Sequence, residues 1–542
     1  MDVTDAISAD IEALVGGTTG RDLAMGGAFE GAERLSKALA TWAPGLQSAD
    51  ADILPAKAMA DARSRDITRN DGYVQSGANI RKDSIVGALY MLNARPNFAL
   101  LGKDEKWAEE FEEEVESLFT AWAESPNYWV DAARTLTFTA LVRLAVGVHL
   151  YGGEVLAVAE WLRDEPRPFQ TAIQLVEADR LTTPFEMSGD TSVRGGIRMN
   201  RYGAPLTAYI RTYHPTDFLR SYDPMQYRAV AWRKPWGRQQ VIHIHEQVRI
   251  DQTRGISELV AGLKTTQIAK KFRDITLQNA VLNASFAASI ESELPDEAVY
   301  QQLGAGGSVG DAVVNYAEAY LGAIAQYAGG SRNMSIDGIK IPHLFPGTKL
   351  QLRPAGSPGG VGQDFEVSLN RHLAAILGTS YEELTHDYSK TNYSSAKAGK
   401  GDTGRFMASK KKLVADGFAN HVYSLWLEEA INKGRLTTVK ASDPNFYEGL
   451  NKEAYCRAEW IGAGVTQIDE LKETQAAALR IKYNLSTMQE ETARLGKDWR
   501  RVLRQREKEQ KLLIEAGLVL DPAEDQMMQA STGEAREKEE AQ

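Results

Sequence analysis

A single cysteine, Cys456, in 542 residues removes several kinds of chemistry at once. No intrachain disulfide can form and no cysteine-based zinc pattern can be completed. Such usage suits a reducing compartment, as in a bacterial cytoplasm. Long apolar runs are missing as well: nothing approaches the roughly 18 uninterrupted apolar residues that a membrane span needs. The opening stretch MDVTDAISADIEALVGG is acidic, with no basic region followed by an apolar one, so it does not read as a secretory signal. Net positive charge is also absent, the formal balance being -11. A protein that grips DNA by neutralising phosphates is basic in at least one domain. Gripping is therefore disfavoured, whereas a surface past which DNA slides has no such requirement. No Walker A pattern occurs, which excludes a P-loop ATPase.

What is present is an ordinary globular balance, 43% hydrophobic and 25% charged, enough for a sizeable core. The length suggests two to four packed regions. The first ~60 residues are rich in Gly, Ala and Asp and punctuated by Pro44 and Pro55, which reads as an arm. Phe111, Val115, Leu118, Phe119 and Trp122 then recur at helical spacing beside an acidic face. Runs rich in β-formers follow: Glu154-Val-Leu-Ala-Val-Ala159, Ala208-Tyr-Ile-Arg-Thr-Tyr213 and Val241-Ile-His-Ile-His245. Together they predict an α+β domain.

A long helix is expected from Ser257 to about Ser289, with Ile268, Phe272, Ile275, Leu282 and Phe286 at helical intervals. Gly- and Pro-punctuated texture over 294–360 suggests a small α/β insertion. A second helix carries Phe365, Leu369, Leu373, Ile376 and Leu377 on one face and stops at Gly378, the expected C′ glycine. A polar segment, 379–395, precedes a further helical run with Val414, Phe418, Val422 and Leu425. Residues 454–510 read as helical again, and the charged end from Asp521 as a disordered tail.

Several co-linear stretches make the chain resemble the portal proteins of lambda-like tailed phages. They include Arg69-Asn-Asp-Gly-Tyr73, Asp83-Ser-Ile-Val-Gly87, Arg134-Thr-Leu-Thr-Phe138, Gly153-Glu154 and Gln252-Thr-Arg-Gly255. Further along come Ala287-Ala-Ser-Ile-Glu-Ser-Glu-Leu294, Pro342-His-Leu-Phe-Pro-Gly347, Leu373-Ala-Ala-Ile-Leu-Gly-Thr-Ser-Tyr-Glu-Glu-Leu384, Tyr393-Ser-Ser-Ala396, Trp426-Leu-Glu-Glu-Ala430 and Trp460-Ile-Gly462. The resemblance spans about residues 50–510 and is carried by the set, not by one motif.

It implies an α+β portal fold in a homo-oligomeric ring, typically of about twelve subunits, at one capsid vertex. The implied divisions are an N-terminal arm (1–60), a wing (61–256), a stem helix (257–290), a clip (291–356) and a second stem helix (357–378). A tunnel loop (379–395), a long wing helix (396–450), a helical crown (451–515) and a disordered tail (516–542) complete the plan. The implied partners are double-stranded phage DNA in the channel, the terminase large subunit, the major capsid protein and a head-completion or adaptor protein, with no membrane and no cofactor. The implied location is the virion, after assembly in the host cytoplasm. Around the tunnel loop the DNA-facing candidates are Tyr381, Glu382, Glu383, Asp387, Lys390, Tyr393 and Lys397. Lysines there would touch phosphates while acidic neighbours keep the contact weak.

Three patterns suggest catalysis or metal binding, and each has a plainer reading. Gly306-Gly-Ser308-Val-Gly310 fits G-x-S-x-G, but no apolar strand precedes it and no acid–histidine pair is evident downstream. Gly399-Lys-Gly401-Asp-Thr-Gly404 fits G-x-G-x-x-G, yet the residues before it are polar. His243 and His245 share a strand face at metal-pair spacing, with only Glu246 nearby as a third ligand; hydrogen-bonded strand histidines are the simpler account. The basic run over 500–511 reads as a solvated helix face with internal ion pairs, its rival being contact with packaged DNA. The two competing functions are a hydrolase built on Ser308 and a different phage head protein. The expectation is a non-enzymatic, ring-forming portal.

Overall fold

The computed structural model describes residues 41–163, 166–217, 226–285, 318, 321–322, 333–336, 339–342, 361–464 and 469–517. Along the chain run α1 (Ala49–Asn70), α2 (Gly72–Ile85), β1 (Met91–Ala94), α3 (Glu105–Ala123), α4 (Phe138–Gly152), β2 (Glu154–Trp161) and β3 (Thr171–Val176). Then come β4 (Val193–Arg194), β5 (Ile197–Met199), β6 (Pro205–Arg211), β7 (Tyr227–Ala231), β8 (Val241–His245) and α5 (Leu263–Ser285). Next are β9 (Asn333–Ile336), β10 (Ile339–Pro342), α6 (Val361–Leu377), α7 (Tyr381–Thr385), α8 (Tyr393–Lys410) and α9 (Gly417–Asn432). The last are α10 (Asn451–Tyr455), β11 (Ala458–Ile461), α11 (Glu470–Lys482), α12 (Met488–Arg494) and α13 (Trp499–Glu515). The class is α+β, as expected.

The described residues form two compact units. The first takes those up to Ala62, then Met91–Ser257 and Leu413–Trp460; the second takes Arg63–Tyr90 and the described parts of Glu258–Lys412 and of the chain from Ile461.

In the first unit an antiparallel sheet of order β3-β2-β8 and another of order β4-β5-β6-β7 share one core. Alternation decides which side chains meet there: Leu156 and Val158 of β2 join Val241, Ile197, Ala208, Ile210, Val230 and Trp232. The opposite face of β2 is buried as well, so six consecutive residues from Glu154 to Ala159 are shielded. Helix α4 packs on β2 and α9 on β3 and β8, and Phe119, Trp122, Phe138, Phe169, Tyr423 and Trp426 form an aromatic cluster in the same unit. Polar links pin α9 to β3: the Glu429 carboxylate accepts Gln170 N–H at 2.7 Å and Thr171 N–H at 2.8 Å.

In the second unit α6 packs on α2, α5 and a 3-10 turn, Glu258–Gly262. Glycines permit the close approach: a Cβ at Gly77 would lie 2.4 Å from Leu377 Cδ1, and one at Gly262 would lie 2.2 Å from Ile376 Cδ1. Glu258 sits between two buried cations, Arg81 at 3.1 Å and Lys410 at 2.9 Å. Helix α6 stops as its sequence predicts. Gly378 adopts φ +68 and Thr379 N–H reaches back to Ala374 O at 3.0 Å, which closes a Schellman turn.

Several boundaries shift. Pro55 does not interrupt an arm; it lies inside α1, which already begins at Ala49. The expected wing start at 61 divides, because Arg63–Tyr90 belongs to the second unit. The helix expected from Ser257 opens with the 3-10 turn and becomes α-helical at Leu263. Within 454–510, expected to be helical, Ala458–Ile461 is instead a strand paired with β1. Of the expected clip only a few residues are described, among them the β9–β10 hairpin. The Ser308 motif, residues 1–40 and the tail from 518 lie outside the described residues.

Candidate DNA-facing segment

The expected tunnel loop is helical at both ends. Ser380 caps α7 with a full capping box: its hydroxyl accepts Glu383 N–H at 3.2 Å, and Glu383 Oε2 accepts Ser380 N–H at 3.4 Å. The same Oε2 accepts the hydroxyls of Thr403 at 2.8 Å and Thr379 at 3.1 Å. Glu383 therefore ties α7 to α8 and is taken up internally. Tyr381 and Glu382 are half-buried, and the Arg371 guanidinium lies 5.7 Å from the Tyr381 ring centre. Tyr393 is the first residue of α8, whose N-cap Asn392 accepts Ser395 N–H at 2.8 Å.

What remains non-helical is 386–392. His386 ends α7 in the left-handed region, φ +56. Asp387 accepts Ser389 Oγ–H at 2.6 Å and Ser389 N–H at 3.1 Å, and these bonds hold its carboxyl below the usual range. Partial burial, with Glu383 and Glu382 nearby, raises the Tyr388 phenol. Asp387, Tyr388, Lys390, Tyr393 and Lys397 are exposed, and the Lys397 ammonium lies 5.8 Å from the Tyr393 ring centre. Of the seven expected site residues, four (Asp387, Lys390, Tyr393 and Lys397) share an exposed surface of mixed charge, and Tyr388, which was not expected, joins them with a second aromatic ring. The other three positions of the α7 turn, Tyr381 to Glu383, serve packing and capping first.

The glycines of the G-x-G-x-x-G pattern lie within α8, so no phosphate-cradling loop exists there. Gly401 and Gly404 face open space, which also removes close helix packing within the chain as their explanation. His243 Nε2 lies 2.8 Å from Glu154 Oε2 and His245 Nε2 lies 3.4 Å from Gln252 O; among the described residues no group of three or more His, Cys, Asp or Glu could hold a metal. Ion pairs occupy part of the basic helix α13, with Lys511 2.7 Å from Glu507.

A buried polar cluster in the first unit escaped sequence reasoning. Glu154, 0% exposed, receives Arg254 through Nη2 at 2.6 Å, Lys57 Nζ at 3.0 Å, His243, and Gly255 N–H at 3.1 Å. Burial alone would raise this carboxyl; Arg254, Lys57 and His243 outweigh it and hold it well below the ordinary value. Two of the stretches that carry the resemblance, Gly153-Glu154 and Gln252-Thr-Arg-Gly255, are therefore in contact. Their sequence separation of about a hundred residues hides the pairing.

The phage portal protein model of the lambda family matches residues 36–409. The chain is 32% identical over 478 residues to the portal protein of Escherichia phage N15, covering 88% of each. It is 32% identical over 480 residues to portal protein B of Escherichia phage lambda, covering 89% of this chain and 88% of that one. Among solved structures it is similar to a chain from the neck of an empty gene transfer agent particle, at 12% identity and TM-score 0.36, covering 80% of this chain and 93% of that one. By the family match and the two phage relatives at 32% identity, the chain belongs to the lambda family of phage portal proteins, which are structural proteins.

Proposed function

We propose that copies of this chain assemble into a ring, of about twelve subunits, at one vertex of the capsid. The ring encloses the channel through which double-stranded DNA enters and leaves the head. It docks the terminase large subunit during packaging and afterwards carries the head-completion or adaptor protein, in contact with the major capsid protein. In this reading 257–290 and 357–378 are stem helices, 291–356 the outward clip, and 451–515 the crown. Assembly takes place in the host cytoplasm and the finished location is the virion.

The observation that carries the reading is the extent of the kinship: the family match covers residues 36–409, and the two portal relatives align over 88–89% of the chain. Charge supports it. A chain at -11 multiplied around a ring gives strongly acidic walls, which repel DNA and let it slide. The exposed surface of Asp387, Tyr388, Lys390, Tyr393 and Lys397 becomes a collar under the same symmetry, with lysines that touch phosphates briefly. Deleting residues 387–390 is expected to leave assembly intact and to impair packaging or retention of DNA in a reconstituted system. Normal packaging by that variant would contradict the DNA-facing role.

A further inference from the structure

Helix α13 departs from the charge of the rest of the chain. It carries six cations against three carboxylates, in a protein whose balance is -11. Asp498 fixes its start by accepting Arg500 N–H at 2.9 Å. At 3.6 residues per turn, Arg500, Arg501, Arg504, Lys508 and Lys511 fall within an arc of about 100°. No carboxylate between Arg500 and Lys511 falls inside that arc; Glu507 stands at its edge, where it meets Lys511 at 2.7 Å. Arg501, Arg504, Lys508 and Lys511 are exposed, and Arg500 is half-buried, its guanidinium carbon 5.8 Å from the Trp499 ring centre. Trp499, Val502, Leu503, Leu513 and Ile514 collect on the other side of the helix, so the two chemistries are kept apart.

We propose that the basic face of α13 binds duplex DNA through its phosphates, without reading sequence. Charge and spacing carry this. From Arg500 to Lys511 the helix rises roughly 17 Å, and one DNA strand sets about five phosphates along that length of duplex, which matches five cations. Three of the five are arginines, whose planar fork suits phosphate oxygens. The exposed pair of Lys511 and Glu507 is of a kind that contributes little, so a phosphate can take the place of the carboxylate. Amphipathic basic helices also suit anionic membrane surfaces. Here Arg506 and Gln510 lie in the middle of the apolar side, where insertion into lipid would bury a charge and an amide. The site uses none of the residues of 387–397; only the origin of its DNA rests on the portal reading.

Fluorescence anisotropy of a labelled duplex of about 30 base pairs, titrated with the full chain, tests this. The expected result is saturable binding at 50 mM salt, alike for two unrelated sequences, that weakens about 60- to 500-fold by 200 mM, as three to five phosphate contacts require. Arg501→Gln/Arg504→Gln/Lys508→Gln is expected to weaken binding about tenfold or more and to flatten the log–log salt slope by about 3. Should that variant not fold, Glu507→Gln, which removes the acid at the edge of the arc, is expected to strengthen binding several-fold. Lys390→Gln/Lys397→Gln is expected to bind like the wild type, which separates α13 from the tunnel segment. No saturable binding by the wild type, an unchanged salt slope in the folded triple variant, no gain with Glu507→Gln, loss of binding in the Lys390/Lys397 variant, or tighter binding to phosphatidylglycerol vesicles than to the duplex would overturn the proposal. Ring formation is read separately, from native mass, so the two readings fail independently.

Discussion

The guanidinium of Arg254 lies against the carboxylate of Glu154, Nη2 to Oε1 at 2.6 Å, where side-chain exposure is 5% and 0%. One pairing joins the first residue of β2 to the segment that leads out of the first unit's sheets. It also anchors α1, because Lys57 reaches the same carboxylate and donates to Gly152 O and Gly255 O.

Removing one member of a buried charge pair strands the other, at a cost of about 3–5 kcal/mol. Arg254→Ala is expected to lower the stability of the subunit by that amount in urea unfolding. The Glu154 carboxyl is held below its unfolded value, so its contribution is present above the unfolded pKa and is lost only as pH falls through the depressed folded one. A loss under about 1 kcal/mol for Arg254→Ala would mean that the pair is dispensable.

Asp61 and His245 are expected to bend the pH–stability curve in opposite directions. The Asp61 carboxyl is raised to about 6 by burial, so the native state binds the proton more tightly and stability falls as pH rises from about 4 to 6. Asp61→Asn should therefore stabilise by roughly 1–3 kcal/mol above pH 6 and not at all below pH 4. The His245 imidazole is pushed down to about 4, by burial first and His243 second, so the unfolded state binds the proton more tightly and stability is lost as pH falls from 6.5 to 4. His245→Gln should flatten that loss. Chemical denaturation at a series of pH values reads both.

Two glycines separate backbone need from mere presence. Gly153 has φ +75, and a Cβ there would lie 2.1 Å from the Ile256 carbonyl carbon, a backbone atom that cannot step aside. Gly153→Ala is expected to cost more than about 3 kcal/mol. Gly404, inside α8, has nothing within 4 Å of such a Cβ. Gly404→Ala should raise the stability of the isolated subunit by about 0.5–1 kcal/mol. Thermal melting of the two variants compares them, and a strong loss at Gly404 would show a role for that glycine which the isolated chain does not explain.

Local chemistry made some of this architecture legible and left some of it hidden. The 3.6-residue stripe through Phe111, Val115, Phe119 and Trp122 marked the buried face of α3, and Val241 to His245 coincides with β8. Gly378 marked the end of α6 because a residue at φ +68 is a glycine preference. Ser380 and Glu383 could have been read as a capping box, which would have shortened the expected loop. Strands of two to four residues such as β4, β5 and β11 are too short for a period to register, and they exist through pairing. The meeting of Lys57, Glu154, His243 and Arg254 has no local signal at all. The mixed charge over 381–397 was visible, but the partial burial of Glu383 follows from Thr379 and Thr403 donating to it.

Ring formation is the centre of the functional account, and the native mass of the purified chain, with negative-stain images of the same sample, tests it most directly. The account predicts a particle near 0.7 MDa, about twelve times the 59.7 kDa subunit, with a central hole. A chain that stays monomeric or dimeric at micromolar concentration, and remains so when scaffold and capsid proteins are added, would contradict it.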